Sequence, residues 1–235
     1  MNISYRPTPR LPHRLIAASL SSILAGSALA ERPMTVDDAG TLGRGGAKLE
    51  LGWSKDDKAR GLDAAAGYGP TDDIELELGL ARIRDHAGAP IDTLQALGAA
   101  LKWVPLQSGD GLSAGVKIEY AHENARHGLD ARIGAISGLM SWNFAIGPRL
   151  HLNLGHEWVE RVGGADEEAH TWGVGLDVPL NPKLDFIAET FGAQGTRPDR
   201  QIGLRYEIAD GLKVSAAAGR GNDRMLANLG LAWEF

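Results

Sequence analysis

The chain of 235 residues contains no cysteine. This absence excludes a disulfide framework, a thiol nucleophile and an anchor through a lipidated cysteine. After residue 30 no stretch is apolar enough for a membrane-spanning helix, which needs about 20 residues. The sequence also lacks the Gly-x-Ser-x-Gly, His-Glu-x-x-His and phosphate-loop patterns that mark common active sites. We therefore predict no enzyme, no cofactor and no metal site.

The first thirty residues have the pattern of a secretory signal. Arg6, Arg10 and Arg14 precede a short apolar run at residues 15–24, and Ala28-Leu29-Ala30 is typical of a cleavage site. We predict a signal peptide over residues 1–30 that is cleaved near Ala30; an uncleaved membrane anchor is the alternative. Its removal leaves 21 basic and 30 acidic residues, and this acidic balance argues against a nucleic-acid partner.

The rest of the chain alternates between apolar and polar residues. AKLELGWS (47–54), DIELELGLA (73–81) and LSAGVKIEY (112–120) each place large apolar residues at every second position, which is typical of a strand with two different faces. About twelve such strands of roughly nine to eleven residues fill residues 46–235. DTLQALGAALKW (92–103) also fits an amphipathic helix, but its neighbours favour a strand. Tight Gly, Pro and Asp turns alternate with somewhat longer, charged connections.

Two architectures fit this pattern, a soluble sandwich and a membrane barrel. The number and length of the strands, the export signal and the aromatic residues near both ends of the apolar faces favour the barrel. We predict an all-β fold, a transmembrane antiparallel up-and-down β-barrel of about 12 strands, in the outer membrane of a Gram-negative bacterium. The alternating last residues, which end at Phe235, resemble the signal that the barrel-assembly machinery reads, so we expect that partner as well as outer-membrane lipid and lipopolysaccharide.

The strand phase predicts which side chains point into the lumen. A twelve-stranded barrel has a backbone diameter of about 24 Å and leaves a passage of about 10 Å unless something fills it. Residues 31–45 form either a free periplasmic segment or such a plug. Acids predominate on the inner face, and we therefore hypothesise a mild cation preference; the alternative is that the charges pair across strands and close the lumen. The predicted pore-lining residues are Glu50, Asp63, Glu75, Glu77, Lys102, Lys117, Glu119, Asn153, Glu157, Asp177, Arg205, Glu207 and Lys213.

Two groups of residues would suit a barrel hydrolase. Asp166, Glu167, Glu168 and His170 lie together in the sequence, as do His122, Glu123 and His127. A lipid-face hydrolase needs a Ser–His pair, and His156 is predicted on the lipid face whereas Ser137 and Ser141 point inward. Charged rims are usually solvated, so the hydrolase is only a second alternative.

RPMTVDDAGTLGRGGAKLELGW (32–53) resembles the start of the outer-membrane β-barrel porin family named for the meta-pathway of phenol degradation. The family opens with Arg-Pro, then Asp-Asp-x-Gly-Thr and a glycine-rich step, which correspond to Arg32-Pro33, Asp37-Asp38, Gly40 and Thr41 here. GYGPTDDIELELGL (67–80) resembles the second hairpin of the family. The resemblance implies passive transport of small solutes, hydrophobic or aromatic compounds among them, and carries no catalytic residue.

The predicted function is therefore an outer-membrane channel for the passive passage of small solutes. The first alternative is a closed barrel with a structural or adhesive role, plugged by its own side chains or by the segment before the first strand. The hydrolase follows as the second alternative.

Overall fold

A computed structural model describes residues 32–221 and 224–235. The predicted signal peptide at residues 1–30 lies outside the described residues. The described residues contain twelve strands and no helix that is long and apolar enough to cross a membrane. The strands are β1 Ala47–Asp56, β2 Ala59–Tyr68, β3 Ile74–Asp85, β4 Asp92–Leu106, β5 Gly111–Ala125, β6 Ala131–Asn143, β7 Arg149–Arg161, β8 Glu167–Asn181, β9 Leu184–Ala193, β10 Asp199–Ala209, β11 Leu212–Gly221 and β12 Arg224–Glu234.

The strands form one closed antiparallel barrel. Each strand pairs with its neighbours in the sequence, and β1 pairs with β12 to complete the ring. At the seam, Ala47 N donates to Phe235 O at 2.8 Å and Phe235 N donates to Ala47 O at 2.9 Å. Closure leaves no strand edge with unpaired backbone groups. The predicted twelve-stranded up-and-down barrel is thus confirmed, and residues 92–103 lie in strand β4 rather than in a helix.

The wall of the barrel is apolar outside and charged inside. On β3, Leu78 is 64% exposed on the outer surface whereas its neighbour Glu77 is 2% exposed and faces the lumen. A soluble sandwich would show the opposite arrangement, with the leucines packed between two sheets and the acids in water. Outward aromatic residues lie near both ends of the strands, with Tyr68, Trp103 and Trp233 near one end and Tyr120 and Trp158 near the other.

We call the two ends of the barrel basal and distal, according to the residues that lie there. The basal end holds Ala47, Phe235 and the turns at residues 69–73, 107–110, 144–148, 182–183 and 210–211. The distal end holds the other connections.

The strands are longer than the sequence predicted, and the distal connections are correspondingly shorter. The strands contain 10 to 15 residues, and only residues 57–58 connect β1 to β2. Segments predicted as charged loops therefore belong to the ladder: Glu123 lies in β5, and Glu167 and His170 lie in β8. Strand pairing needs only backbone groups, so it continues into polar sequence up to the short connection that closes each hairpin.

The apolar outer face predicts that the wall of the barrel contacts lipid, and this can be tested. Leu204 lies at the middle of β10, and Met225 lies at the distal end of β12; both side chains point outward. We expect Leu204→Arg to lower the free energy of unfolding in lipid vesicles by about 2–4 kcal/mol and Met225→Arg by about 0–1 kcal/mol, because a charge costs most at the midplane of a bilayer. Equal effects in a denaturant titration would contradict a lipid-facing wall.

Candidate functional site: the lumen and the segment inside it

All thirteen predicted pore-lining residues lie on the inner face of the barrel. Eight of them are buried: Glu50, Glu75, Glu77, Lys102, Lys117, Glu157, Asp177 and Arg205. The other five are partly buried: Asp63, Glu119, Asn153, Glu207 and Lys213. Their common face follows from the period of two, since alternate side chains of a strand point to the same side. That they line a conducting passage stays a prediction.

The buried state of these groups has a simple cause, because the stretch of residues 32–46 passes from the basal rim, where Arg44 and Gly45 are exposed, into the interior of the barrel. We call this stretch the lumen segment. It enters at the basal end, where Gly45 N donates to Gly69 O at 2.7 Å. Leu42 N then donates to Glu75 on β3 at 3.2 Å, and Ala39 N donates to Ser141 on β6 at 2.7 Å. The segment therefore follows the inner wall from strand to strand.

Asp37 is the central charged group of the lumen segment. Its carboxylate lies 2.8 Å from Lys102 Nζ on β4 and 3.3 Å from Lys117 Nζ on β5. Its backbone amide donates to Asn153 Oδ1 on β7 at 2.7 Å, and Asn153 returns a hydrogen bond to the carbonyl of Asp37 at 2.8 Å. One residue thus connects three strands to the segment through buried, charge-assisted contacts.

Further along, Glu189 on β9 holds the backbone of the segment. Its carboxylate accepts hydrogen bonds from the amides of Thr35 and Val36, both at 2.8 Å. Gln201 on β10 also donates to this carboxylate, and it donates at 3.2 Å to the carbonyl of Pro33. A carboxylate that accepts two backbone N–H groups is a strong clamp on the chain that supplies them.

The segment completes its circuit at Arg32, which pairs with Asp63 on β2. Inward glycines make room for it: a Cβ at Gly52 on β1 would collide with the guanidinium group, and one at Gly230 on β12 would lie 2.8 Å from the Arg32 side chain. Gly173 on β8 serves Val36 in the same way, since a Cβ there would lie 2.7 Å from its Cγ2. The inner wall therefore contains a groove that fits the segment.

An apolar cluster inside the lumen explains the one irregular strand pattern. On β9, Ile187 and Phe191 share the phase of the polar residues Asp185 and Glu189, and both point inward. There they pack against Met34 and Val36 of the lumen segment, with Ile187 only 1% exposed. The broken alternation of β9 was thus a signal of a buried partner within the barrel.

Ion pairs satisfy much of the remaining inner charge. Lys48 on β1 lies 3.0 Å from Glu75 and 3.1 Å from Glu77 on β3, whereas Lys117 lies 2.9 Å from Glu119 on its own strand, β5. Arg205 lies 2.6 Å from Asp177, and Lys213 lies 3.4 Å from Glu234. The cross-strand pairing that the sequence left as an alternative therefore exists, together with pairing to the segment.

Several inner residues lie beyond the strand ends that the alternation predicts. Arg224 on β12 lies 2.7 Å from Asp56 on β1 and 2.7 Å from Asp199 on β10, so it bridges three strands near the distal end. Arg224 shares the phase of Glu234, and Asp56 shares the phase of Glu50. Continuing the alternation past the predicted strand ends would have found both.

The lumen segment divides the interior. On the basal side of the segment, a cavity of about 560 Å³ opens to the solvent, and we call it the basin. Its lining includes Asp38, Lys48, Lys102 and Arg149. On the other side of the segment lie separate cavities of about 100 Å³ and about 50 Å³. Burial alone would raise the pKa of Asp38, but Lys102, His151 and Arg149 outweigh it and hold that pKa well below the usual range. Asp38 is therefore charged at neutral pH.

The Ser–His pair that a lipid-face hydrolase would need is not brought together. His156 points outward whereas Ser137 and Ser141 point inward, so the barrel wall separates the pair that the reaction would need. Inside the lumen, Ser141 Oγ instead lies 2.8 Å from His151 Nδ1, and it also accepts a hydrogen bond from the backbone amide of Ala39. Within residues 32–221 and 224–235, no three His, Asp or Glu side chains form a complete metal site.

Comparison with known proteins identifies the family. The profile of a family described as uncharacterised conserved protein UCP029691 matches residues 19–228. The chain belongs to this family. No curated protein matches the sequence. The family match does not show kinship with the barrels of the meta-pathway of phenol degradation, which therefore stays a prediction.

Solved structures with the same fold include several bacterial barrels. The COG4313 outer membrane channel from Pseudomonas putida F1 has a TM-score of 0.62 at 12% identity, over 84% of this chain and 98% of that chain. The KdgM porin in complex with disordered oligogalacturonate has a TM-score of 0.58 at 10% identity, over 80% of this chain and 99% of that chain. The translocator domain of the autotransporter NalP from Neisseria meningitidis has 0.57 at 13% identity, over 94% of both chains. At these identities the likeness shows the fold.

The Glu189 clamp can be tested by hydrogen exchange. We expect Glu189→Ala to speed exchange of the Thr35 and Val36 amides about 10- to 100-fold, because each loses a hydrogen bond to a charged acceptor. Glu207→Ala is the matched control, since Glu207 faces inward on the next strand but accepts the amide of Gly211 instead. Unchanged exchange at residues 35 and 36 in the Glu189 variant would contradict the clamp.

Proposed function

We propose that this protein is an outer-membrane channel for small solutes and that the lumen segment closes its passage in the conformation described. It would reach the outer membrane of a Gram-negative bacterium after cleavage near Ala30, through the barrel-assembly machinery that reads the strand ending in Phe235. The observation that carries the proposal is a closed twelve-stranded barrel with an apolar outer face and a charged inner face. Such a wall separates lipid from a polar lumen.

The lumen has the dimensions that transport of small molecules needs. Twelve strands enclose a backbone diameter of about 24 Å, and inward side chains reduce this to a passage of about 10 Å once the segment leaves. Two of the similar structures are described as a porin and an outer membrane channel, and none of the three is described as an enzyme. Both comparisons support a channel rather than a hydrolase.

The segment is attached in a way that permits movement. Residues 32–42 of the segment are held by hydrogen bonds and ion pairs with wall side chains such as Lys102 and Glu189, and by packing of Met34 and Val36 against β9, and not by membership in the strand ladder. Side-chain contacts can be exchanged for water without breaking the barrel, because closure between β1 and β12 does not involve residues 32–46. We therefore expect an open state in which the segment has left the lumen.

The solute class follows from the inner wall. Without the segment, the acids on the inner faces of the strands outnumber the bases, which favours neutral or cationic solutes over anions. Hydrophobic and aromatic compounds are the class that the resemblance to the meta-pathway of phenol degradation barrels suggests, and we propose that kinship as the finer family assignment. Lipid and lipopolysaccharide would contact only the outer face.

Single-channel recording tests the proposal. The mature chain and a variant that lacks residues 32–42 are refolded and inserted into a planar bilayer, with strand content measured to confirm folding. We expect rare or small openings from the mature chain and steady ohmic steps from the deletion variant, because the deletion removes the segment from the lumen. The Asp37→Ala variant, which removes the contact of Lys117 with the segment and leaves Lys102 only its contacts with Asp38 there, should open more often than the mature chain.

Arg44→Ala is the control for these recordings, because Arg44 lies at the basal rim, 4.0 Å from Asp72, and is exposed. It should behave as the mature chain does. A folded but silent deletion variant would overturn the channel and favour the closed structural or adhesive barrel. The extensive contacts of the segment with the inner wall are the observation that favours this second function, a closed barrel.

Ion selectivity gives a separate prediction. In a salt gradient, the reversal potential of the deletion variant should indicate a preference for cations, because acids predominate on the inner wall. Replacing Glu75 and Glu77 by Gln should move the reversal potential toward zero. Anion preference in the deletion variant would contradict the acid-lined passage without affecting the case for a channel.

A further inference from the structure

Two histidines face each other on the outside of the barrel, where the proposed channel has no use for them. His156 on β7 and His170 on β8 are directly paired across the ladder. Their ring centroids lie 5.0 Å apart, and their Nδ1 atoms lie 3.3 Å apart. Directly paired positions on an antiparallel sheet bring two side chains close enough to act on one ligand.

The distance between the two Nδ1 atoms suits a shared metal ion. Imidazole nitrogens bind zinc at about 2.0–2.1 Å in tetrahedral geometry, which places two such nitrogens about 3.4 Å apart. The observed 3.3 Å agrees with that value without rearrangement of the backbone. A hydrogen bond between the rings also fits this distance, so the tautomer of each ring matters.

Glu168 favours the tautomer that a metal needs. Its Oε2 lies 3.6 Å from Nε2 of His156, and its side chain is 78% exposed and free to approach more closely. A carboxylate beside one ring nitrogen stabilises a proton there and leaves the lone pair of the other nitrogen available. Here the proton would lie on Nε2 of His156, and the free lone pair would lie on Nδ1, the atom that faces His170.

The site lies at a place where other ligands can complete the coordination. His156 is five residues from the distal end of β7, and its ring lies 6.0 Å from that of Trp158, one of the outward aromatic residues near that end. Outward Trp residues near strand ends typically lie at the level of the lipid headgroups, so water and phosphate oxygens can approach the pair from that end. Two protein nitrogens with open positions favour zinc, copper or nickel over calcium and magnesium, which prefer oxygen ligands.

We propose that His156 and His170 bind a divalent transition metal ion on the outer face of the barrel, with Glu168 as a positioning residue. The remaining coordination positions are filled by water or by a phosphate oxygen of lipopolysaccharide. The site depends on the pairing of β7 with β8 and on no part of the lumen.

Zinc titration of the tag-free mature protein in detergent tests the site. We expect one saturable site per chain, weakened at least tenfold by His156→Ala or by His170→Ala and about tenfold by Glu168→Gln. His122→Ala is the matched control, because His122 also faces outward near the distal end of its strand but pairs with Leu97 and Arg132. It should leave the affinity unchanged.

Copper gives a second readout at the same place. Cu²⁺ should quench tryptophan fluorescence, because Trp158 and Trp172 lie on the same outer face, two residues from His156 and His170 respectively, and His156→Ala should remove most of that quenching. Equal zinc affinity in detergent and in lipopolysaccharide vesicles supports water as the further ligand, whereas tighter binding in the vesicles supports phosphate. Absence of saturable binding in both media, or an equal loss in the His122 variant, would overturn the proposal while leaving the conductance experiments unaffected.

Discussion

Closure of the barrel between β1 and β12 is the constraint on which the rest of the structure depends. The register that pairs Lys48 with Glu234 and Trp53 with Leu229 leaves no open edge, and it fixes which side chains face inward around the whole ring. Because the side-chain period is two, every strand then presents leucines and aromatic residues outside and charges inside. The outer face, the inner face and the diameter all follow from this one ring of hydrogen bonds.

A ring of this size creates an electrostatic problem that the lumen segment helps to solve. Buried charges are tolerated only when they are paired and hydrogen-bonded. Asp37 meets Lys102 and Lys117, while the amides of Thr35 and Val36 meet Glu189. The contacts that hold the segment in the lumen are therefore the same contacts that satisfy these buried charges. Any opening of the passage must exchange these contacts for water, which a basin already open at the basal end can supply.

The two faces of the wall can serve different purposes because alternate residues are independent. On β7, Asn153 and Glu157 face the lumen, while His156 and Trp158 lie on the outer face beside β8. A change on one face leaves the hydrogen-bonded ladder and the opposite face in place. This independence lets a lumen that closes around its own segment and an outer histidine pair coexist on the same strands without competing for residues.

The sequence by itself determined the architecture and the facing of most side chains, because alternation is local: Glu75 and Glu77 were assigned inward from their neighbours alone. The local pattern did not determine where the strands end, since polar residues such as Glu123 remain in the ladder wherever backbone pairing continues. Only the tertiary structure decided the partners. Arg224 meets Asp56 and Asp199, and Ile187 meets Met34, because the closed ring brings distant strands and the segment together. No local pattern encodes those distances, whereas the local pattern does encode which face each residue occupies.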